Sequence, residues 1–245
     1  MGRPRWRRKR RGVTGYRSTM TDRDLVQRLL DRHGSTYAEA AGIRLADEPA
    51  PLWQLLVLSL LLSARISSEL AVRAAREVFD AGCTTPERTG GTTRQQRVRA
   101  LARGGYRRYD ERTSTQLGEL ADRVLDEYGG DLRRLHEEAR SGDGGDGGDD
   151  GEVADRLARA LQRFKGIGPA GAAIFLREVQ GVWPDVAPYV DDLAATGADR
   201  LGLATAPDRL AALVSTRDLP RLVAACVRAA RDREVVDDVR AGTGS

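Results

Sequence analysis

A chain of 245 residues with 40% hydrophobic and 31% charged content has apolar material for a sizeable core, as one domain or two closely packed halves, and fits a soluble globular protein. Forty Lys and Arg oppose 36 Asp and Glu, yet eight of those cations (Arg3, Arg5, Arg7, Arg8, Lys9, Arg10, Arg11 and Arg17) stand at the N-terminus, leaving 32 against 36 for the rest. The pI near 9.4 is therefore no argument that the folded part binds nucleic acid, and two distant Cys with two isolated His argue against a zinc site.

Residues 1–19 read as a disordered basic tail that grips phosphates non-specifically, as a leader, or as sequence upstream of a start at Met20. They contain no apolar segment of secretory type, so the expected location is cytoplasmic. The run Leu52 to Ala64, interrupted only by Gln54 and the serines, is too short to span a bilayer and predicts a buried core helix. Thr85-Pro86-Glu87 and Ala206-Pro207-Asp208 place Pro where helices begin. In Gly-Tyr106-Arg-Arg-Tyr109-Asp, aromatic and basic groups alternate as in a loop that meets DNA. The alternative is a ring packed at a helix start, the stronger of the two for Tyr106. Leu117, Leu120, Ala121, Val124, Leu125 and Tyr128 follow one helical face, as do Leu219, Leu222, Val223, Cys226, Val227 and Ala230. Residues 141–151, Ser-Gly-Asp-Gly-Gly-Asp-Gly-Gly-Asp-Asp-Gly, form an acidic, low-complexity insertion expected to be flexible; they lack the terminal Glu spacing and flanking helices of a calcium loop. No segment alternates convincingly, so the expected class is all-α.

The most informative stretch is Phe164-Lys-Gly-Ile-Gly-Pro-Ala-Gly-Ala172. Leu157, Ala160, Leu161 and Phe164 form an approach helix and Ala172, Ile174, Phe175 and Leu176 an exit helix. Between them Gly166 and Gly168 are free to adopt positive φ and expose amides at a helix start, a seat for phosphate. This segment resembles the hairpin of the helix-hairpin-helix DNA glycosylases, the endonuclease III superfamily, whose usual form is Leu-Pro-Gly-Val-Gly-x-Lys-Thr-Ala. Two more landmarks fall in the family's order. Val190-Asp191-Asp192-Leu193 runs without a gap into Asp199-Arg200-Leu201-Gly202-Leu203, and Leu61-Leu62-Ser63-Ala64-Arg65 stands where the family commonly has Leu-Leu-Ser-Ala-Gln. The resemblance covers roughly residues 52 to 203.

The resemblance implies two helical subdomains with a cleft between them: residues 52–182 as a barrel-like bundle carrying the hairpin at 164–172, and residues 20–51 joined to 183–240. It implies a DNA glycosylase acting on a damaged or mismatched base in double-stranded DNA. Asp191 takes the place of the catalytic carboxylate that steadies an oxocarbenium-like sugar and orients a water, with Asp192 in reserve. The competing reading of Asp191 is a helix cap. Lys165, Gly166, Ile167, Gly168 and Gly171 would meet a phosphate. Arg65 would enter the duplex where a base has left, or is a solvated helix end, and Tyr109 would face DNA. Ala170 stands where bifunctional members carry the Schiff-base lysine, and Lys165, the chain's only lysine besides Lys9, lies across the turn; the reading is therefore a monofunctional enzyme without lyase activity. Cys83 and Cys226 cannot hold the iron-sulfur cluster of many relatives, so no cofactor is expected, although a monovalent cation at the hairpin carbonyls is compatible with the family. The expected state is a monomer. The alternative function is a catalytically inactive helix-hairpin-helix DNA-binding protein.

Overall fold

The computed structural model of the protein describes residues 21–142 and 150–241. The tail expected over 1–19 and residues 143–149 of the expected insertion therefore lie outside the described residues. The described part is helical, with no strand, so the class is all-α as expected. In chain order the helices are α1 (Asp22–His33), α2 (Tyr37–Ala40), α3 (Pro49–Leu62), α4 (Ser68–Asp80), α5 (Pro86–Gly90), α6 (Arg94–Arg103), α7 (Asp110–Tyr128), α8 (Leu132–Ser141), α9 (Asp150–Leu161), α10 (Pro169–Val179), α11 (Asp192–Leu201), α12 (Pro207–Ala211), α13 (Leu219–Arg231) and α14 (Arg233–Arg240). A 3-10 turn, Pro184–Val186, lies between α10 and α11.

Short polar side chains start many of these helices. Thr21, Thr36, Ser67, Thr85, Thr93 and Asp191 each accept a hydrogen bond from a first-turn amide that would otherwise lack a partner. Proline opens α3, α5, α10 and α12, where its missing N–H is not needed. The centre of the fold is α3. Leu52, Trp53 and Leu55 to Leu62 are all buried, so this helix is apolar on every side and must be surrounded. No helix among the described residues is long and apolar enough to cross a membrane.

Around α3 pack α4, α8 and α10; α6 lies on α4 and α7, α5 on α7, and α9 between α8 and α10. A second group forms around α13, which carries α1, α11 and α14. At Gly197 a Cβ would lie 1.7 Å from the Cys226 carbonyl oxygen, so only hydrogen fits there between α11 and α13. The two groups meet along α10. It packs on α3 and α13, and the fully buried Glu178 accepts hydrogen bonds from the amides of Tyr37 (2.9 Å) and Ala38 (3.1 Å) at the start of α2.

Candidate active site

The turn between α9 and α10 is fixed by two apolar plugs and one hydrogen bond. Phe164 and Ile167 are buried, and the Ile167 amide donates to the Phe164 carbonyl at 3.0 Å. Gly166 has φ +98°, a left-handed conformation that favours glycine, and a Cβ there would meet Gln116 Nε2 at 2.6 Å and Leu60 Cδ1 at 2.8 Å. Gly168 departs from the sequence expectation. Its φ of −94° and ψ of −171° are extended backbone, because it is the residue that enters α10 ahead of Pro169. Its surroundings are open, with nothing within 4 Å of a Cβ built there. Gly171, one turn into α10, is buried against Ile167 and the Ser59 carbonyl of α3. The amides of Gly166, Gly168, Ala170 and Gly171 donate to no acceptor among the described residues. Unpaired donors at the positive end of a helix make a seat for an anion. The carbonyls of Gln162, Lys165, Gly166 and Ile167 accept no hydrogen bond among the described residues.

One polar stripe of α7 supports the turn from below. Gln116, Glu119 and Arg123, spaced three and four residues apart, meet Gly166, Lys165 and Phe164 in order. Lys165 Nζ lies 2.7 Å from Glu119 Oε1, while Arg123 donates to the Arg163 carbonyl and holds its guanidinium 5.5 Å from the Phe164 ring centre. Arg163 in turn donates to the Tyr128 hydroxyl at 3.0 Å. Lys165 is exposed and already carries a carboxylate partner. The sequence reading missed this stripe; its signal was the polar spacing 116, 119, 123 on a helix whose other face is the Leu117 to Tyr128 core stripe.

Asp191 sits at the start of α11. Its Oδ1 accepts from the Ala194 amide at 3.0 Å, so it does cap the helix. Its Oδ2 faces Arg177 of α10, 3.7 Å from Nε, and the two side chains are 18% and 8% exposed. The segment leading to Asp191 is held at both ends. Gln180, fully buried at the end of α10, accepts from the Tyr189 amide at 2.9 Å and donates to the Tyr189 carbonyl at 3.0 Å. Trp183 stacks on His136 at 4.1 Å and donates to Asp47 at 2.8 Å, while Asp185 bonds His136 Nε2 at 2.9 Å and pairs with Arg140 at 3.1 Å. Burial, and then the negative charge of Asp191, push the Tyr189 hydroxyl up to about 12, so it stays a neutral donor. Asp192, the reserve candidate, is the exposed first residue of α11; of the two neighbouring carboxylates, only Asp191 is largely enclosed.

The remaining expected site residues are Arg65 and Tyr109. Arg65 is exposed in the turn between α3 and α4 and makes no hydrogen bond or ion pair among the described residues. Tyr109 precedes α7, partly buried, with Arg108 over its ring at 5.3 Å and the Tyr106 ring edge-on at 6.4 Å. Tyr106 itself is core, its hydroxyl 3.0 Å from Thr113 Oγ1. Ala170 is exposed in the first turn of α10 and offers only a methyl group. Cys83 and Cys226 are free, buried thiols, the latter raised to about 12 by burial. Sequence reasoning missed Arg177 and Glu178. Their signal was an exit helix whose apolar residues already occupy every side, so that charged groups within it had to be buried and partnered.

No family model matches the sequence, and no curated protein matches it. Among solved structures the chain is similar to one described as "Structure of a Trapped Endonuclease III-DNA Covalent Intermediate: Estranged-Adenine Complex", at 15% identity over 85% of this chain and 86% of that one, with a TM-score of 0.44.

Proposed function

We propose that the protein is a DNA glycosylase that hydrolyses the N-glycosidic bond of a damaged or mismatched base in duplex DNA, without lyase activity. The observation that carries this reading is the disposition of α10. Unpaired amides at its start are suited to a DNA phosphate, and an arginine near its end faces the largely enclosed Asp191. The helical groups around α3 and α13 form the two walls, and the target nucleotide leaves the base stack to enter between them. Asp191 is the catalytic carboxylate: the bond to the departing base breaks with its electron pair, positive charge grows at C1′, and the carboxylate steadies that charge and orients the attacking water. Asp192 stays in reserve. Lys165, Gly166, Ile167, Gly168 and Gly171 form the phosphate seat, and Arg65 and Tyr109 meet the duplex beside the vacated position. A monovalent cation at the hairpin carbonyls would add positive charge beside the phosphate, and no step depends on it. The reading places a monomer without a redox cofactor in the cytoplasm.

The test is a panel of duplexes, each with one lesion or mismatch, incubated with the protein and then treated with alkali. Strand breaks are expected only after alkali, and Asp191→Asn is expected to abolish base release while duplex binding persists. Cutting without alkali, or a borohydride-trapped adduct that survives Lys9→Ala and disappears with Lys165→Ala, would overturn the monofunctional assignment. A second reading, a DNA-binding protein without turnover, draws on the structural occupation of both Asp191 oxygens, one capping α11 and one facing Arg177. On that reading Asp191→Asn changes neither binding nor any chemistry.

A further inference from the structure

From the geometry around Asp191 we infer that Arg177 is the positioning residue for this carboxylate, holding it by charge while leaving its second oxygen available for the reaction. The inference rests on the glycosylase reading and concerns a residue that the sequence motifs did not single out.

A guanidinium does not give up its proton, so Arg177, 8% exposed, needs a counter-charge close by. Among the described residues, Asp191 is the carboxylate within ion-pair distance. The pair is nevertheless open. At 3.7 Å, Nε is well outside the 2.7–2.9 Å typical of a charge-assisted hydrogen bond, and it spends its proton on the Ala173 carbonyl at 3.3 Å. Nη1 is buried and has no acceptor. A close hydrogen bond from the guanidinium would have tied up a lone pair of Oδ2 and damped the carboxylate's charge. Here the Ala194 amide fixes Oδ1, the positive charge of Arg177 sets the direction of Oδ2, and no hydrogen bond consumes Oδ2. The spare donor on Nη1 then has a natural role in receiving a water or substrate oxygen when the site fills. Because Gln180 also bonds the Arg177 carbonyl at 2.9 Å, the same clamp that holds Tyr189 holds the backbone behind Arg177.

The experiment compares wild type, Arg177→Met, Arg177→Lys, Asp191→Asn and the Arg177→Met/Asp191→Asn pair in single-turnover base release, duplex affinity and thermal melting. Asparagine preserves the helix cap, so Asp191→Asn isolates the charge. Arg177→Met is expected to slow base release about 100-fold, the scale of a misplaced reacting group, with duplex affinity unchanged. Arg177→Lys recovers part of the rate. In melting, Asp191→Asn loses stability by stranding a buried cation, and adding Arg177→Met restores part of it. Where Met disturbs packing, Arg177→Gln gives the same readings. Wild-type base release by Arg177→Met, or melting losses of the two single variants that simply add in the double variant, overturns the inference. If wild type processes no duplex in the panel, the glycosylase reading falls, and melting alone decides the pairing: restoration by the second substitution keeps it, additive losses end it.

Discussion

Glu178 shows how one buried side chain couples stability to pH. Burial raises its pKa above the ordinary value of 4.5, even though the amides of Tyr37 and Ala38 favour the charged form. An acid whose pKa is raised on folding contributes stability that is full below its unfolded value and is lost as pH rises through the folded one. Glu178→Gln removes one of the two acceptors and is expected to destabilise the protein by about 1–3 kcal/mol. Urea unfolding at pH 5 and pH 8 checks the sign: the gap between wild type and the variant should narrow at the higher pH. Lys165 makes a contrasting case. Its pair with Glu119 is exposed and is worth at most about 1 kcal/mol, so Lys165→Ala should hardly move the melting point. In duplex binding the same substitution should reduce the slope of log affinity against log salt by about one, and Glu119→Gln should strengthen binding by releasing the lysine.

The contact of α11 with α13 sets where Asp191 stands, because α11 is anchored through Gly197 with no room for a methyl group. Gly197→Ala must push the helices apart, and a loss of about 3 kcal/mol is expected in denaturant unfolding. Gly166→Ala strains a backbone at φ +98° and collides with Gln116 and Leu60, for a cost of about 1–3 kcal/mol and weaker duplex binding in the same titration. The helices themselves were legible in the residues. Pro86 and Pro207 do open α5 and α12, the stripes at Leu117 to Tyr128 and Leu219 to Ala230 lie within α7 and α13, and the apolar run at 52–64 falls largely within the central α3. Periodicity reports which face is apolar, and it carries no information about which polar group meets which. That is why the Gln116, Glu119 and Arg123 stripe and the Arg177 contact emerged only from the packed structure. The Gly-x-Gly spacing likewise announced a turn without saying that Gly166 alone would be left-handed.

Charge over the whole chain is uneven: eight cations precede residue 18, and the remainder of the chain is slightly acidic. Removing residues 1–19 is therefore expected to flatten the salt dependence of duplex binding while leaving the single-turnover rate at saturating protein intact; a slowed rate would assign the tail a part in the chemistry. Which side chains tie distant parts of the chain together was not legible, since Glu178 and Trp183 find partners 141 and 136 residues away in the chain. Glu178 makes its connection from within α10, and Gln180 and Trp183 follow directly on that helix. From Gly168 to Arg177 the rise is nine residues, about 14 Å at 1.5 Å each. A single rigid rod thus works as a caliper, with one jaw at the unpaired amides and the other facing Asp191. Neither jaw has an adjustment of its own, so lengthening the rod by one residue would swing the far jaw through about 100° and close it on nothing.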